Sequence, residues 1–180
     1  MNEINLKELK KAFGTFITGV TVVTTKNQNY THASHEETTN KENKNQYFSN
    51  IGFTANSFTS VSLDPPLLSV CLAKSMSCCE IFEDCSHFAI NILAETQEDV
   101  SNLFASYEGD RFSKVDWKPD ANGSPLIGGV TTSFSCSNFQ QIDAGDHMIL
   151  IGEVTDFETT GDEGLGYSNK GYFRIGRESS

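Results

Sequence analysis

Apolar residues recur at Leu6, Leu9, Phe13, Phe16 and Ile17, with lysines and Glu8 between them. That spacing predicts an amphipathic first helix laid against a core, with Gly14 weakening the pattern near its end. The period then shortens. Gly19 to Thr25 is dominated by β-branched residues and reads as a strand. From Lys26 to Asn50 the pattern dissolves into Asn, Thr, Glu, Lys and His, a polar loop with Tyr30, Tyr47 and Phe48 at its margins. Gly52 to Cys79 follows as a strand, a hydroxyl-rich turn, a Pro-Pro stop, a second strand, and a polar loop opening a helix. Leu67 to Leu72 is nearly continuously apolar, the pattern of a strand covered on both faces. Asp64-Pro65-Pro66 cannot continue a helix or donate to a central ladder, so it fixes where that strand begins. Ser77 and Glu80 stand at capping-box spacing ahead of Ile81 and Phe82.

The remaining chain alternates in the same way. Cys79 to Cys85 is a short helix and His87 to Leu93 a strand. Thr96 caps a further helix with Val100, Leu103, Phe104 and Tyr107 on one face. Trp117 and a turn-rich segment from Lys118 to Gly123 lead into strand-like residues from Pro125 to Phe139, with a bend at Gly128-Gly129. Asp143 to His147 is a turn, Met148 to Asp156 a long strand, Gly161 to Gly166 an acidic turn, and Gly171 to Ile175 a closing strand. No repeat or linker interrupts this order, so one domain over residues 1–180 is expected.

Composition narrows the classes of function. A chain of 180 residues with 37% hydrophobic content and 13 Phe can pack one sizeable core. The net charge of −11 repels phosphate backbones and argues against nucleic acid as a partner. An anionic cofactor would therefore need a protected pocket of amides, hydroxyls and a few cations, with Lys74 and Arg111 as the first candidates. No apolar run approaches a bilayer span, and the first residues lack the basic start and apolar stretch of a signal peptide; a cytoplasmic protein that does not engage a membrane is expected. Cys71, Cys78, Cys79, Cys85 and Cys136 are odd in number and form no CxxC pair, which favours core residues over disulfides or metal ligands. His32 and His35 near Glu36 and Glu37 lack the further ligands of a metal site, and no metal is expected.

The ordered run Gly52-Phe53-Thr54-Ala55-Asn56-Ser57-Phe58-Thr59-Ser60-Val61-Ser62-Leu63-Asp64-Pro65-Pro66-Leu67 closely resembles the core motif of the flavin reductase-like family. Phe16 to Thr24, the Asp110-Arg111-Phe112 triplet and Gly145-Asp146-His147 are similar to the same family. The resemblance runs from about Leu9 to Val154 apart from residues 26–50, where the family has a much shorter loop, and so implies that this polar stretch is an insertion. It implies a mainly β protein, a six- or seven-stranded FMN-binding split β-barrel of Greek-key type with peripheral helices. It also implies a homodimer with flavin at the interface of its two chains.

The activity so implied is that of an NAD(P)H:flavin oxidoreductase, passing hydride from NADH or NADPH to FMN or FAD and supplying a monooxygenase with diffusible reduced flavin. Thr54, Ala55, Asn56 and Ser57 correspond to the family's ring-edge donors, and Ser60, Val61 and Ser62 to a second contact strip. Lys74, Ser75 and Ser77, beside the amides of a helix start, suit the flavin phosphate. Arg111 and Phe112 fall where the family sets residues near the cofactor; a surface Arg with a core Phe is the plainer alternative. His147 would lie beside the reactive face of the ring, to orient the nicotinamide or help a proton reach the reduced ring. Tyr172, in a final segment that matches the family only loosely, is the candidate to cover the nicotinamide. Two alternatives stay open on sequence grounds: a non-enzymatic flavin-binding electron carrier, and a haem-binding split-barrel relative.

Overall fold

The computed structural model describes residues 4–28, 30 and 48–174. The first half of the chain contains helix α1 (Leu6–Gly14), the short strand β1 (Thr18–Gly19), and strands β2 (Thr21–Lys26), β3 (Asn50–Ala55), β4 (Thr59–Leu63) and β5 (Pro66–Ala73). Next come α2 (Cys79–Asp84), β6 (His87–Ile92), α3 (Glu98–Ser106) and a single 3-10 turn at Phe112–Lys114. The rest is strand: β7 (Trp117–Pro119), β8 (Pro125–Ile127), β9 (Thr132–Ala144), β10 (His147–Thr159), β11 (Leu165–Ser168) and β12 (Gly171–Arg174). The segment between β2 and β3 is the polar stretch expected as an insertion, and most of it, including His32, His35 and Tyr47, lies outside the described residues.

Seven antiparallel strands form the main sheet in the order β3-β2-β6-β9-β10-β5-β4. Its two end strands, β3 and β4, are neighbours in the chain, separated only by Asn56, Ser57 and Phe58. A link that short cannot cross a flat sheet of seven strands. The sheet must curl until its ends meet, which closes a barrel and leaves a seam at Asn56–Phe58. Ser57 spans this seam: its Oγ accepts from the Cys71 amide at 2.9 Å and lies 3.4 Å from the Cys71 carbonyl. β4 pairs with β5 only from Ser69 to Pro66, so Ser57 takes the place of the ladder partner that Cys71 would otherwise lack.

The barrel interior is filled by Phe53, Leu68, Val70, Leu72, Phe82, Phe88, Ile90 and Leu150, all at most 2% exposed. A second cluster, built on Val20, Val22, Leu93, Phe104 and Ile127, lies beneath α3 and the β11–β12 hairpin. Asn91 is fully buried and ties three segments together. It donates to the Val22 carbonyl at 3.0 Å and accepts from the Ile127 amide at 2.8 Å. The irregular register of β10 against β9 at Ile151/Gly152 brings Gly152 against Phe88, where a Cβ would stand 2.6 Å from the ring.

Four local expectations are corrected. α1 buries none of its residues: Leu6 and Phe13 are 68% and 69% exposed, as is Phe16 just beyond its end at 75%, while Lys7, Lys10, Lys11 and Gly14 line a cavity shared with Asn169 and Lys170. β5 is covered fully on only one face; Leu68, Val70 and Leu72 point inward while Leu67, Ser69 and Cys71 stay half-buried on the outside. An apolar run cannot by itself distinguish one covered face from two. α2 starts one residue later than a Ser77 N-cap requires, with Cys78 at the N-cap and no cap from the Cys78 side chain. Likewise Gln97, not Thr96, precedes α3, which buries Ser101 and Phe104, half-buries Val100 and Leu103, and leaves Tyr107 exposed beyond its end. Cys78, Cys79, Cys85 and Cys136 are buried thiols and Cys71 is half-buried, none of them in a disulfide. No described helix is long and apolar enough to cross a membrane.

Candidate functional site

The end of β3, the face of α3 and the β11–β12 hairpin enclose a cavity of about 190 Å³ lined by Thr54, Asn56, Ser101, Ala105, Tyr167 and Tyr172. Each wall has a local cause. Thr54 donates its hydroxyl to the Ser101 carbonyl at 2.7 Å, locking β3 to α3. The Ser101 and Tyr172 hydroxyls lie 2.8 Å apart, and Tyr172 also donates to Asn102 Oδ1 at 3.1 Å. Tyr167 and Tyr172 are directly opposed across the hairpin, their ring centroids 5.3 Å apart. The result is a small chamber with flat aromatic walls and a hydroxyl and amide rim. Ala55 is buried behind the rim, Asn56 is exposed at it, and Ser57 holds the seam beside it.

A second group gathers at the adjoining barrel mouth. Ala73, two residues beyond Cys71, pairs with His147 across β5 and β10. The Gly145-Asp146 turn between β9 and β10 requires left-handed backbone at Gly145 (φ 67°), the arrangement of two-residue hairpins with glycine in the first central position. The half-exposed imidazole of His147 donates from Nδ1 to Asp146 Oδ1 at 2.7 Å, which orients the ring and fixes its tautomer. This bond holds the fully exposed Asp146 carboxyl below its ordinary range, and the nearby charge of Lys10 adds to the effect. Lys74 closes the same corner, donating to Asp143 Oδ1 at 2.6 Å and to the Gly145 carbonyl at 2.8 Å. An ammonium has three donors, so Lys74 keeps one for a ligand, with its charge already matched by Asp143. Ser75 and Ser77 are exposed in the turn after Lys74.

Other expected site residues stand elsewhere. Ser60 and Val61 are exposed on β4 and Ser62 is half-buried there, its hydroxyl accepting from the Asp64 amide at 3.2 Å. Arg111 donates to the Tyr107 carbonyl at 2.7 Å and to the Gly52 carbonyl at 2.6 Å, tying the end of α3 to β3. Phe112 is a core residue in edge contact with Phe104 and Trp117. Both line clefts with Phe48 and Asn50, separate from the Thr54 chamber. Sequence reasoning missed Ser101 and Ala105, although small residues four apart on α3, flanking Phe104, were a visible sign of a close approach. It also missed Asp143, the partner of Lys74. Among the described residues no cluster of His, Cys, Asp and Glu could hold a metal.

The donor set fits a flavin. Polar edge groups converge on a site with aromatic walls, and a lysine and hydroxyls stand nearby. The described residues of one chain provide about 190 Å³, less than the roughly 300–1,000 Å³ typical of such sites.

Residues 13–176 match the sequence profile of the flavin reductase like domain. The reductase component of the flavin-dependent trigonelline monooxygenase of Acinetobacter baylyi is 48% identical over 181 residues, which cover 100% of this chain and 53% of that protein. The FMN reductase (NADH) SmoA of Agrobacterium fabrum is 36% identical, with 97% of this chain and 88% of its own length covered. Among solved structures, the NADH:FAD oxidoreductase SgcE6 of Streptomyces globisporus, in complex with NAD and FAD fragments, superposes with a TM-score of 0.81 at 31% identity over 100% of both chains. The chain spans about half the length of the first two curated relatives it matches, 53% and 48%.

Proposed function

This chain belongs to the flavin reductase-like domain family, and from that premise we propose that it is an NAD(P)H:flavin oxidoreductase. FMN or FAD accepts hydride from NADH or NADPH, and the reduced flavin passes by diffusion to a monooxygenase. The observation that carries this reading is the convergence of Thr54, Asn56 and Tyr172 on one chamber, with Ser57 at its rim and His147 at the adjoining mouth. Flavin, when bound, supplies the hydride acceptor; the chain supplies position and charge.

In this arrangement the backbone of Thr54 to Ser57 and the Asn56 amide offer hydrogen bonds to the polar edge of the ring, where negative charge builds during reduction. Ser60, Val61 and Ser62 provide a further contact strip along β4. Lys74, Ser75 and Ser77 receive the flavin phosphate, with Lys74 using its remaining N–H. Tyr172, held by Ser101 and Asn102, is the flat surface for the nicotinamide. His147, kept in one tautomer by Asp146, orients the nicotinamide or hands on a proton. Arg111 and Phe112 act through the β3–α3 framework that carries Thr54.

The exposed apolar residues of α1 and the segment that follows it (Phe13, Phe16, Ile17) and of the barrel wall (Leu63, Phe157), together with a chamber smaller than such sites usually are, support a homodimer that completes the flavin site. Residues 26–50 form an insertion in a single domain, and unpaired thiols support a cytoplasmic setting. Steady-state oxidation of NADH and NADPH with added FMN or FAD tests the proposal. Turnover with one nucleotide and one flavin is expected; none in any combination overturns it. Retained yellow flavin without turnover would identify an electron carrier, and a Soret band a haem protein.

A further inference from the structure

The chain carries 13 Lys and Arg against 24 Asp and Glu, yet four lysines face one concavity. Lys7, Lys10 and Lys11 on α1 and Lys170 in the β11–β12 turn line a cavity of about 300 Å³, floored by Gly14 and Asn169. Lys11 bonds Glu8 at 2.8 Å; no ion pair or hydrogen bond joins the Lys7, Lys10 or Lys170 side chain to another described side chain. Clustered like charges raise each other's energy unless an anion lies between them, and on a surface this acidic they are a strong local attraction for one.

The cavity is built rather than incidental. The Asn169 amide and the Ser168 hydroxyl both donate to the Gly14 carbonyl, at 2.7 and 3.2 Å, clamping the turn against the end of α1. Asn169 and Lys170 both adopt left-handed backbone, φ 48° and 66°. Asparagine tolerates this, but the second position of such a hairpin ordinarily takes glycine. A lysine there is conformationally costly, and its side chain enters the basic cavity.

The cavity is also coupled to the proposed reaction site from two sides. The hairpin that carries Lys170 at its tip carries Tyr167 and Tyr172 in the Thr54 chamber, two residues from Asn169 and Lys170 respectively. That is roughly 7 Å along a strand, within the span of one dinucleotide. On the other side, Lys10 lies close enough to Asp146 to act on its charge.

Taking the flavin reductase reading as given, we infer that the cavity of Lys7, Lys10, Lys11 and Lys170 holds the phosphate groups of the nicotinamide dinucleotide while Tyr172 receives its nicotinamide. Lys74, whose charge is already matched by Asp143, remains with the flavin phosphate. Two phosphate-bearing substrates thus meet two separate sets of cations.

The test compares the full chain with a Lys7→Gln/Lys10→Gln double variant and a Lys170→Gly variant. KM is measured for NADH, NADPH and FMN, and thermal stability is recorded. The double variant is expected to raise nucleotide KM on the order of tenfold, with kcat held within about twofold and FMN KM unchanged. Lys170→Gly is expected to raise nucleotide KM about threefold while Tm holds or rises, an outcome that a merely structural role could not give. A larger effect on NADPH than on NADH assigns the cavity to the 2′-phosphate, and equal effects assign it to the pyrophosphate; both support the inference. Unchanged nucleotide KM in both variants, or FMN KM rising in step, overturns it. Should the wild-type chain oxidise neither nucleotide, the reductase reading fails by itself. The cavity is then judged by titration with 2′,5′-ADP: binding that the double variant loses supports it, and absence of binding in the wild type overturns it.

Discussion

Ser57→Ala is the sharpest probe of how the barrel closes. The serine hydroxyl accepts from the Cys71 amide at 2.9 Å and makes a longer contact of 3.4 Å with the Cys71 carbonyl. Alanine removes both and leaves a half-buried β5 amide without its partner beyond the end of the β4 ladder. An unsatisfied buried backbone group costs about 1–3 kcal/mol. Because this position keeps some access to water, the lower part of that range, about 1–2 kcal/mol, is expected. For a chain of this size each kcal/mol shifts Tm by about 2–4 °C, so a fall of about 2–8 °C should be seen by circular dichroism. Urea denaturation of the same variant should lower the midpoint with an unchanged slope. Flavin binding, followed by fluorescence quenching, should weaken as well, since Asn56 loses its anchored neighbour. A Ser57→Ala protein with wild-type Tm and weakened flavin binding would refute the seam argument, leaving Ser57 a ligand and nothing more.

Three further outcomes are expected. Gly152→Ala places a Cβ 2.6 Å from the Phe88 ring and 2.9 Å from Cys136 Cβ in a filled interior, so a loss of about 1–3 kcal/mol should appear in urea denaturation. His147→Ala should reduce NAD(P)H turnover roughly 10–100-fold while sparing flavin affinity. The Asp146 carboxyl, relieved of its histidine, should return toward the ordinary carboxylate range in an NMR titration. In the wild type that carboxyl titrates below its unfolded value, so whatever stability it adds is present above that value and declines as pH falls through the folded one. Burial pushes the Cys78 and Cys85 thiols to about 11 and Cys136 to about 12, from an ordinary value of 9.0. The unfolded chain therefore sheds these protons first, and stability should decline as pH rises from about 9 toward 12. Alkaline melts of a Cys136→Ala protein should show a shallower decline than the wild type.

The barrel was largely legible in the sequence because its cues are local. β-branched runs, the Pro-Pro stop and the Gly145-Asp146 turn each dictate backbone without reference to distant residues. The seam at Ser57 was not legible: the bond joins residues 14 apart, and its need arises only once β4 stops short of Cys71. The surroundings of α1 were misread for a related reason. A stripe such as Leu6, Phe13 and Phe16 says that a helix wants an apolar partner, not which molecule provides it. In the site, Thr54 and Asn56 were named from their motif, whereas Ser101 and Ala105 came into view only when α3 packed on β3. Arg111 was named as a cation for a phosphate, but its guanidinium is engaged by two carbonyls, a geometry that charge counting cannot reveal.

The position of Asn56–Phe58 between the first and last strands of the sheet has a kinetic consequence. These two strands are adjacent in the chain but stand at opposite ends of the ladder order, and no ladder bonds pair them. The joint is held by the short link and by the Ser57–Cys71 contact, which makes it the natural place for the cylinder to breathe. Deuterium uptake at Cys71 should outpace uptake at Val70 and Leu72. A small molecule seated across this joint would act as a rivet, slowing that uptake in proportion to its occupancy.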